Sequence, residues 1–221
     1  MDSRRAESFS DGVFAVAITV LVFNLLPIAD KTANFLTVTG RPGHSGLIHY
    51  WPAYLAYVIS FLIIGIMWLN HHMMFAQVTS VNRPVLFLNL ILLMGIVALP
   101  FPTALVADHL TGSAGGHGQA TVAVVTYGLL MIAISVSFGG TWLYISSHPD
   151  ELAGSRPVRR SRMATLRFVA GNAGYVAGTL IALVSPVAGL IIFALLAVYY
   201  LFEHLPVPAD ESAAESGTND G

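Results

Sequence analysis

Long uncharged stretches alternate with short charged segments along the chain. A helix that crosses the hydrocarbon of a bilayer needs about 20 mostly apolar residues, and stretches of that length without Asp, Glu, Lys or Arg recur along the sequence. The stretch over residues 168–202 is too long for one span and contains Pro186, so it predicts two helices. The pattern therefore predicts six membrane-spanning helices, at about residues 9–27, 51–78, 84–107, 121–146, 164–184 and 187–204.

The predicted fold is an all-α, polytopic membrane protein with one transmembrane domain over residues 1–208. Composition agrees, because 55% of the residues are hydrophobic and only 10% are charged, whereas soluble domains carry about 25% charged residues. The net charge of −2 offers no polybasic surface for a nucleic acid. The small, polar and acidic segment 209–221 predicts a disordered tail.

The sequence offers little for catalysis. It has no cysteine, which excludes disulfides, thiolate metal sites and cysteine nucleophiles. It also has no Walker A or dinucleotide-binding motif. We therefore expect neither an enzyme nor a cofactor, and no metal beyond ions in transit.

The distribution of Lys and Arg predicts the orientation. With the N-terminus inside, the inner side holds eight of these residues and the outer side two, so the positive-inside rule favours cytoplasmic termini. Arg4 and Arg5 before the first apolar stretch resemble the start of a signal peptide, but Glu7, Asp11 and the absence of a small-residue cleavage site favour a retained helix. These features suit a prokaryotic plasma membrane.

A polar cluster opens the first helix, comprising Arg5, Ser8, Ser10 and Asp11. Helix capping would explain it without a further function, with Ser8 or Ser10 as the cap and Asp11 in the first turn. Polar residues at membrane depth are also the best functional candidates. Both interpretations stay open at this point.

A second polar cluster lies near the inner end of the second predicted helix. The predicted orientation places it at the depth of Asp11 and of Asn89, so Arg5, Asp11, Asn89 and His71 or His72 are expected to form a network. Metal binding by the two histidines is not favoured, because neighbours in a helix point about 100° apart and no further ligand lies at i+3 or i+4. The cluster comprises Trp68, Asn70, His71, His72 and Gln77.

One stripe of the first helix contains Gly12, Val16, Thr19, Val20 and Phe23, by the helical spacing of about 100° per residue. Ordinary helix packing is one explanation, with the small residues allowing close approach. The other is a pore, in which copies of the chain present apolar rings and a ring of hydroxyls to passing ions.

The same region carries a family resemblance. Arg5, three variable residues and then Phe9-Ser10-Asp11, followed at once by an apolar helix, resembles the signature of the transmembrane protein 175 family of potassium channels. The likeness extends to Trp68-Leu-Asn-His71-His72 and to six spans in a chain of this length. It resembles the short prokaryotic members in particular.

The resemblance implies a homotetramer in which the first helix of each subunit lines a central pore. Such channels lack a Thr-Val-Gly-Tyr-Gly filter loop, and bulky aliphatic side chains form the constriction. Carried onto this chain, the implied constriction comprises Val16, Thr19 and Phe23. Val16 stands where the family often has Ile or Leu, which implies a slightly wider ring. The signature residues are implied to brace the first helix against the Trp and His of the second.

The leading hypothesis is a potassium-preferring cation channel whose partners are potassium ions, the bilayer and copies of the chain. The main alternative is a proton-coupled secondary transporter that uses Asp11 and His71 as proton sites. A membrane scaffold without transport is the third. Substrate-coupled flux would distinguish a transporter from a channel, and a scaffold would give no flux.

Overall fold

The computed structural model describes residues 3–26, 40–41, 44–45, 51–111, 117–148 and 162–203, and it is almost entirely helical. The first helix continues into a 3₁₀ segment, Leu21–Leu25, and two short strands form an antiparallel pair. The elements are α1 (Ser3–Val20), β1 (Gly40–Arg41), β2 (His44–Ser45), α2 (Trp51–Phe75), α3 (Arg83–Ala98), α4 (Pro100–Thr111), α5 (His117–Ser147), α6 (Arg162–Ala182) and α7 (Pro186–Glu203).

Helices occur at all six predicted positions, so the predicted all-α membrane fold is confirmed. Four helical stretches are long and apolar enough to cross a membrane, and two shorter apolar helices lie at the fifth and sixth positions. The predicted tail over 209–221 lies outside the described residues. The four long stretches are Ser3–Leu25, Tyr54–Phe75, Arg83–His109 and Gly118–Ser147, and the shorter ones are Val169–Ala182 and Pro186–Tyr200.

The third span differs from its prediction as one helix over 84–107. It is divided after Leu99 into α3 and α4, because Pro100 has no N–H with which to continue the α-helical ladder. The N–H of Leu99 instead donates to the carbonyl of Ile96 at 3.1 Å, which tightens the last turn of α3. At its start, α3 is capped by Asn82, whose side chain accepts from the N–H of Val85.

The first helix begins at Ser3, six residues before its predicted start at residue 9. Ser10 lies inside the helix, where its hydroxyl donates to the carbonyl of Ala6 at 2.9 Å. The capping interpretation of Ser8 and Ser10 is therefore wrong. The polar turn stays helical because several of its side chains have partners on α2 and α3, as described below.

Two large apolar clusters form most of the interior, and a small third one surrounds Ala107. The larger joins all six spans, and its fully buried members include Phe14, Leu92 and Met131. The smaller surrounds Phe75 and Val85, where α1, α2, α3 and α5 meet. One face of α1 therefore packs against the bundle along its whole length.

Candidate pore-lining helix

The first helix has one buried face and one uncovered face. The uncovered face contains four of the five residues of the predicted stripe, with Val16 57% exposed and Phe23 59% exposed, whereas Val20 is half-buried at its edge. Of the four long apolar stretches, the first has the smallest buried share, 22% against 33% to 44% for the others. The buried face consists of Ser3, Ala6, Ser10, Phe14, Ala17 and Leu21.

The uncovered face carries a hydrogen-bond acceptor at the level of Thr19. The hydroxyl of Thr19 donates to the carbonyl of Val16 within the helix, at 2.8 Å. Its hydrogen is therefore occupied, and its oxygen remains an acceptor toward the uncovered side. Gly12 is open as well, because a Cβ placed there would meet nothing within 4 Å.

Two polar pairs join α1 to α2 one helical turn apart. The indole N–H of Trp68 donates to Asp11 Oδ1 at 2.8 Å, and His72 Nδ1 lies 2.7 Å from Glu7 Oε1. Residue numbers rise by four on α1 and fall by four on α2, so the helices are antiparallel. Trp68 and His72 also stack, with ring centroids 6.2 Å apart. We call these two pairs the α1–α2 rungs.

A buried chain of hydrogen bonds ties α1, α2 and α3 together. Asn89 Nδ2 donates to Ser10 Oγ at 2.9 Å, and Asn89 Oδ1 lies 2.8 Å from His71 Nε2. Because that oxygen can only accept, His71 carries its proton on Nε2. The ring of His71 stacks on Phe75 at 4.4 Å and is tilted against Phe14 at 5.4 Å. His71 Nδ1 is buried and has no hydrogen-bond partner among the residues described.

The structure thus brings together Ser10, Asp11 and the Trp and His residues of α2, together with Asn89. It leaves Arg5 and Phe9 outside this arrangement, since both are exposed. Arg5 has no hydrogen bond or ion pair with the part of the chain that the structure describes. Within the same residues, no cluster of three His, Asp or Glu side chains could hold a metal ion.

Sequence reasoning missed two contacts of α1. Glu7 pairs with His72, and the signal was the matching four-residue spacing of Glu7 with Asp11 and of Trp68 with His72. Asn24, in the 3₁₀ segment, donates its side-chain amide to the carbonyl of Pro100 at 3.0 Å. Nothing in the spacing of the first helix indicates that second contact.

Comparison with known proteins places this geometry in a family. The family described as "Endosomal/lysosomal potassium channel TMEM175" matches residues 5–100. A protein of Streptomyces collinus named a potassium channel is 40% identical over 216 residues, covering 97% of this chain and 99% of its own length. The human protein named endosomal/lysosomal proton channel TMEM175 is 32% identical over 103 residues, which are 45% of this chain but 20% of that protein.

A solved structure agrees with these sequence matches. The crystal structure of a lysosomal potassium-selective channel TMEM175 homolog from Chamaesiphon minutus superposes with a TM-score of 0.73 at 30% identity, covering 91% of this chain and 97% of that one. The resemblance inferred from the first two helices is thereby confirmed. The chain belongs to the TMEM175 family of membrane channel proteins.

Proposed function

We propose that copies of this chain assemble around a central axis into a potassium-permeable channel whose pore is lined by the uncovered face of α1. The observation that carries the proposal is the division of α1 into a buried face, fastened to α2 and α3 by polar contacts, and an uncovered face that contains the predicted stripe. A single copy cannot enclose a pore, so the function requires an oligomer. We propose a homotetramer in a prokaryotic plasma membrane, with both termini cytoplasmic.

The composition of the uncovered face supports a pore rather than lipid contact. Between Val85 and Val97 of α3, every exposed side chain is large and apolar, including Leu90 and Met94, as expected of a surface against acyl chains. On α1 and its 3₁₀ continuation, the exposed positions include Gly12 and Thr19 as well as Val16 and Phe23. A glycine and a hydroxyl suit close approach to symmetry-related helices and contact with water or ions.

The proposed pore has three levels. Val16 and Phe23 are roughly 11–12 Å apart along the axis, at about 1.5 Å per residue in α1 and about 2.0 Å in the 3₁₀ segment, with Thr19 between them. Apolar rings of this kind can close a pore by excluding water, and hydroxyl oxygens can replace part of an ion's hydration shell. Potassium sheds water at a lower cost than sodium, so a narrow apolar passage favours potassium.

Ion flux through purified protein in liposomes tests the proposal, with potassium, sodium and an impermeant cation as the gradient ion in turn. Potassium flux should exceed sodium flux without any co-substrate. Val16→Ala and Phe23→Ala should increase sodium leak or lower the potassium-to-sodium ratio, because each removes an apolar ring. Val97→Ala and Phe101→Ala are matched controls, since their side chains are 50% and 65% exposed on the third span. Unchanged flux in both pore variants would refute the assignment of the pore.

Proton movement is the second candidate, because the animal relatives are named proton channels. The transporter version of this idea assigns proton sites to Asp11 and His71. The contacts favour separate roles for the two residues, since Asp11 accepts from Trp68 and His71 bonds to Asn89. A pH-sensitive dye inside the liposomes distinguishes a coupled carrier from a channel, because a coupled carrier requires potassium and proton fluxes in a fixed ratio.

A further inference from the structure

The outer end of the pore-lining helix is wound differently from the rest. Over Leu21–Leu25 the α-helix gives way to a 3₁₀ helix, which is tighter and has weaker hydrogen-bond geometry. Leu21 is fully buried, but Phe23 in the same segment is 59% exposed. Packing within the subunit therefore does not fix the direction of the Phe23 side chain. That direction depends on the contacts that hold the 3₁₀ segment in place.

Two kinds of contact, a hydrogen bond and apolar packing, hold the 3₁₀ segment. The side-chain amide of Asn24 donates to the carbonyl of Pro100, the first residue of α4, at 3.0 Å. Leu25 packs against the buried Ala107 of α4, as Tyr54 of α2 does. Asn24 supplies the only directional contact between this segment and another helix among the hydrogen bonds of the described residues, and apolar packing supplies the rest.

Pro100, the partner of Asn24, lies at the junction between α3 and α4, which we call the Pro100 joint. Several hydrogen bonds stabilise this junction. The carbonyl of Leu99 accepts both the N–H and the hydroxyl of Thr103, at 3.2 Å and 2.9 Å. The Thr103 hydroxyl also lies 2.9 Å from the hydroxyl of Ser60 on α2. Ser60 and Thr103 are each 1% exposed, so water does not compete for these bonds. Pro100 is therefore a well-fixed point of attachment.

We propose that Asn24 is a positioning residue for the outer constriction: its bond to the Pro100 joint sets the rotation of the 3₁₀ segment and thereby the direction of Phe23. The inference rests on the proposed function, because it requires Phe23 to face the pore. It also explains why an amide suits this position. A carboxylate could not donate to the carbonyl and would place two acceptors against each other.

Thiol labelling in the full-length channel tests the geometry. Because the chain has no cysteine, Phe23→Cys and Val16→Cys each introduce a single thiol. The rate of modification by a membrane-impermeant methanethiosulfonate and its effect on potassium flux are measured in liposomes, with and without Asn24→Leu. Asn24→Leu keeps a similar volume and removes the donor. It should change the rate at position 23 about two- to tenfold, the weight of one hydrogen bond, and leave the rate at position 16 unchanged.

The matched control is Ser137→Ala, which removes a hydroxyl that, within the described residues, bonds only to Ala133 of its own helix. It should alter neither rate. If Asn24→Leu does not assemble, Asn24→Gln serves in its place, since it keeps the donor but lengthens the arm by one methylene. It should change the rate at position 23 in the same assay.

The potassium-to-sodium ratio is a second measurement, and a purely structural role of Asn24 would not change it in this way. Asn24→Leu should lower the potassium-to-sodium ratio in the native background but not in Phe23→Ala, because residues that act through one another are not additive. An equal drop in both backgrounds, or native labelling at position 23 in both Asn24 variants, would overturn the inference alone. If modification at positions 16 and 23 leaves flux unchanged, the pore assignment itself is wrong and the inference falls with it.

Discussion

Replacing Asn89 by leucine tests whether the buried hydrogen-bond chain holds α1, α2 and α3 together. Asn89 is 2% exposed, and its side chain bonds to His71 on one side and Ser10 on the other. Leucine has nearly the same volume, so the change removes the hydrogen bonds without opening a large cavity. The N–H of His71 then has no acceptor, whereas Ser10 still donates to the carbonyl of Ala6.

The expected cost follows from these two losses. A hydrogen bond between membrane helices contributes about 0.6 kcal/mol on average, which is the estimate for the lost bond to Ser10. A buried donor left without a partner costs about 1–3 kcal/mol, which applies to His71. Together they give roughly 1.6–3.6 kcal/mol, and in a chain of this size each kcal/mol moves the midpoint by about 2–4 °C. The melting midpoint should therefore fall by about 3–14 °C.

The assay is the loss of monodisperse protein on size exclusion after heating in detergent. Combining Asn89→Leu with His71→Phe should recover most of the loss, because removing both polar partners leaves no unpaired group and a phenyl ring can keep the stack on Phe75. Ser137→Ala should stay near the native midpoint. The reasoning fails if Asn89→Leu melts no lower than that control, or if the double variant is no more stable than the single one.

Two further predictions concern helix contacts. Asp11→Asn keeps an acceptor for the Trp68 indole and should retain most of the oligomer. Asp11→Leu removes that acceptor and should lower the oligomer yield, measured by light scattering. Equal yields from the two variants would contradict a bracing role of Asp11. Gly178→Ala would place a Cβ 2.6 Å from the ring of Phe193 and should cost about 1–3 kcal/mol. Gly140→Ala, which enters open space inside α5, should be neutral or stabilise the protein by up to about 1 kcal/mol, because alanine favours a helix over glycine; equal shifts in the melting midpoint would contradict the packing argument.

The positions of the helices could be predicted from the sequence because the bilayer imposes a length on every span. The division of the third span was not predicted, although Pro100 is visible in the sequence. Whether a proline kinks a helix or divides it depends on how the neighbouring carbonyls find new donors. Here the carbonyl of Ile96 accepts from the N–H of Leu99, and the carbonyl of Leu99 accepts from the side chain of Thr103. Hydropathy along the sequence carries no information about these bonds.

The two faces of α1 follow from helical spacing alone, which is why the stripe containing Val16 and Phe23 was predicted. The partners across helices required more. Glu7 meets His72 only because of the register between α1 and α2, and Asn24 meets Pro100 only because α4 begins there. The matching four-residue spacings on α1 and α2 were a signal for the first contact, but spacing within one helix does not fix the register between two helices. The bond between Trp68 and Asp11 lies in a region where the family signature already implied a contact.

The α1–α2 rungs also limit how the first helix can move. Their spacing is the same on both helices, so sliding α1 by two residues, about 3 Å, stretches both pairs at once. Contacts that begin at 2.7 Å and 2.8 Å exceed hydrogen-bonding distance after a displacement of that size. Piston-like translation of α1 is therefore disfavoured, and a change in its tilt or rotation must carry the adjoining half of α2 with it. A force applied to α2 from the bilayer is thereby transmitted to the uncovered face of α1.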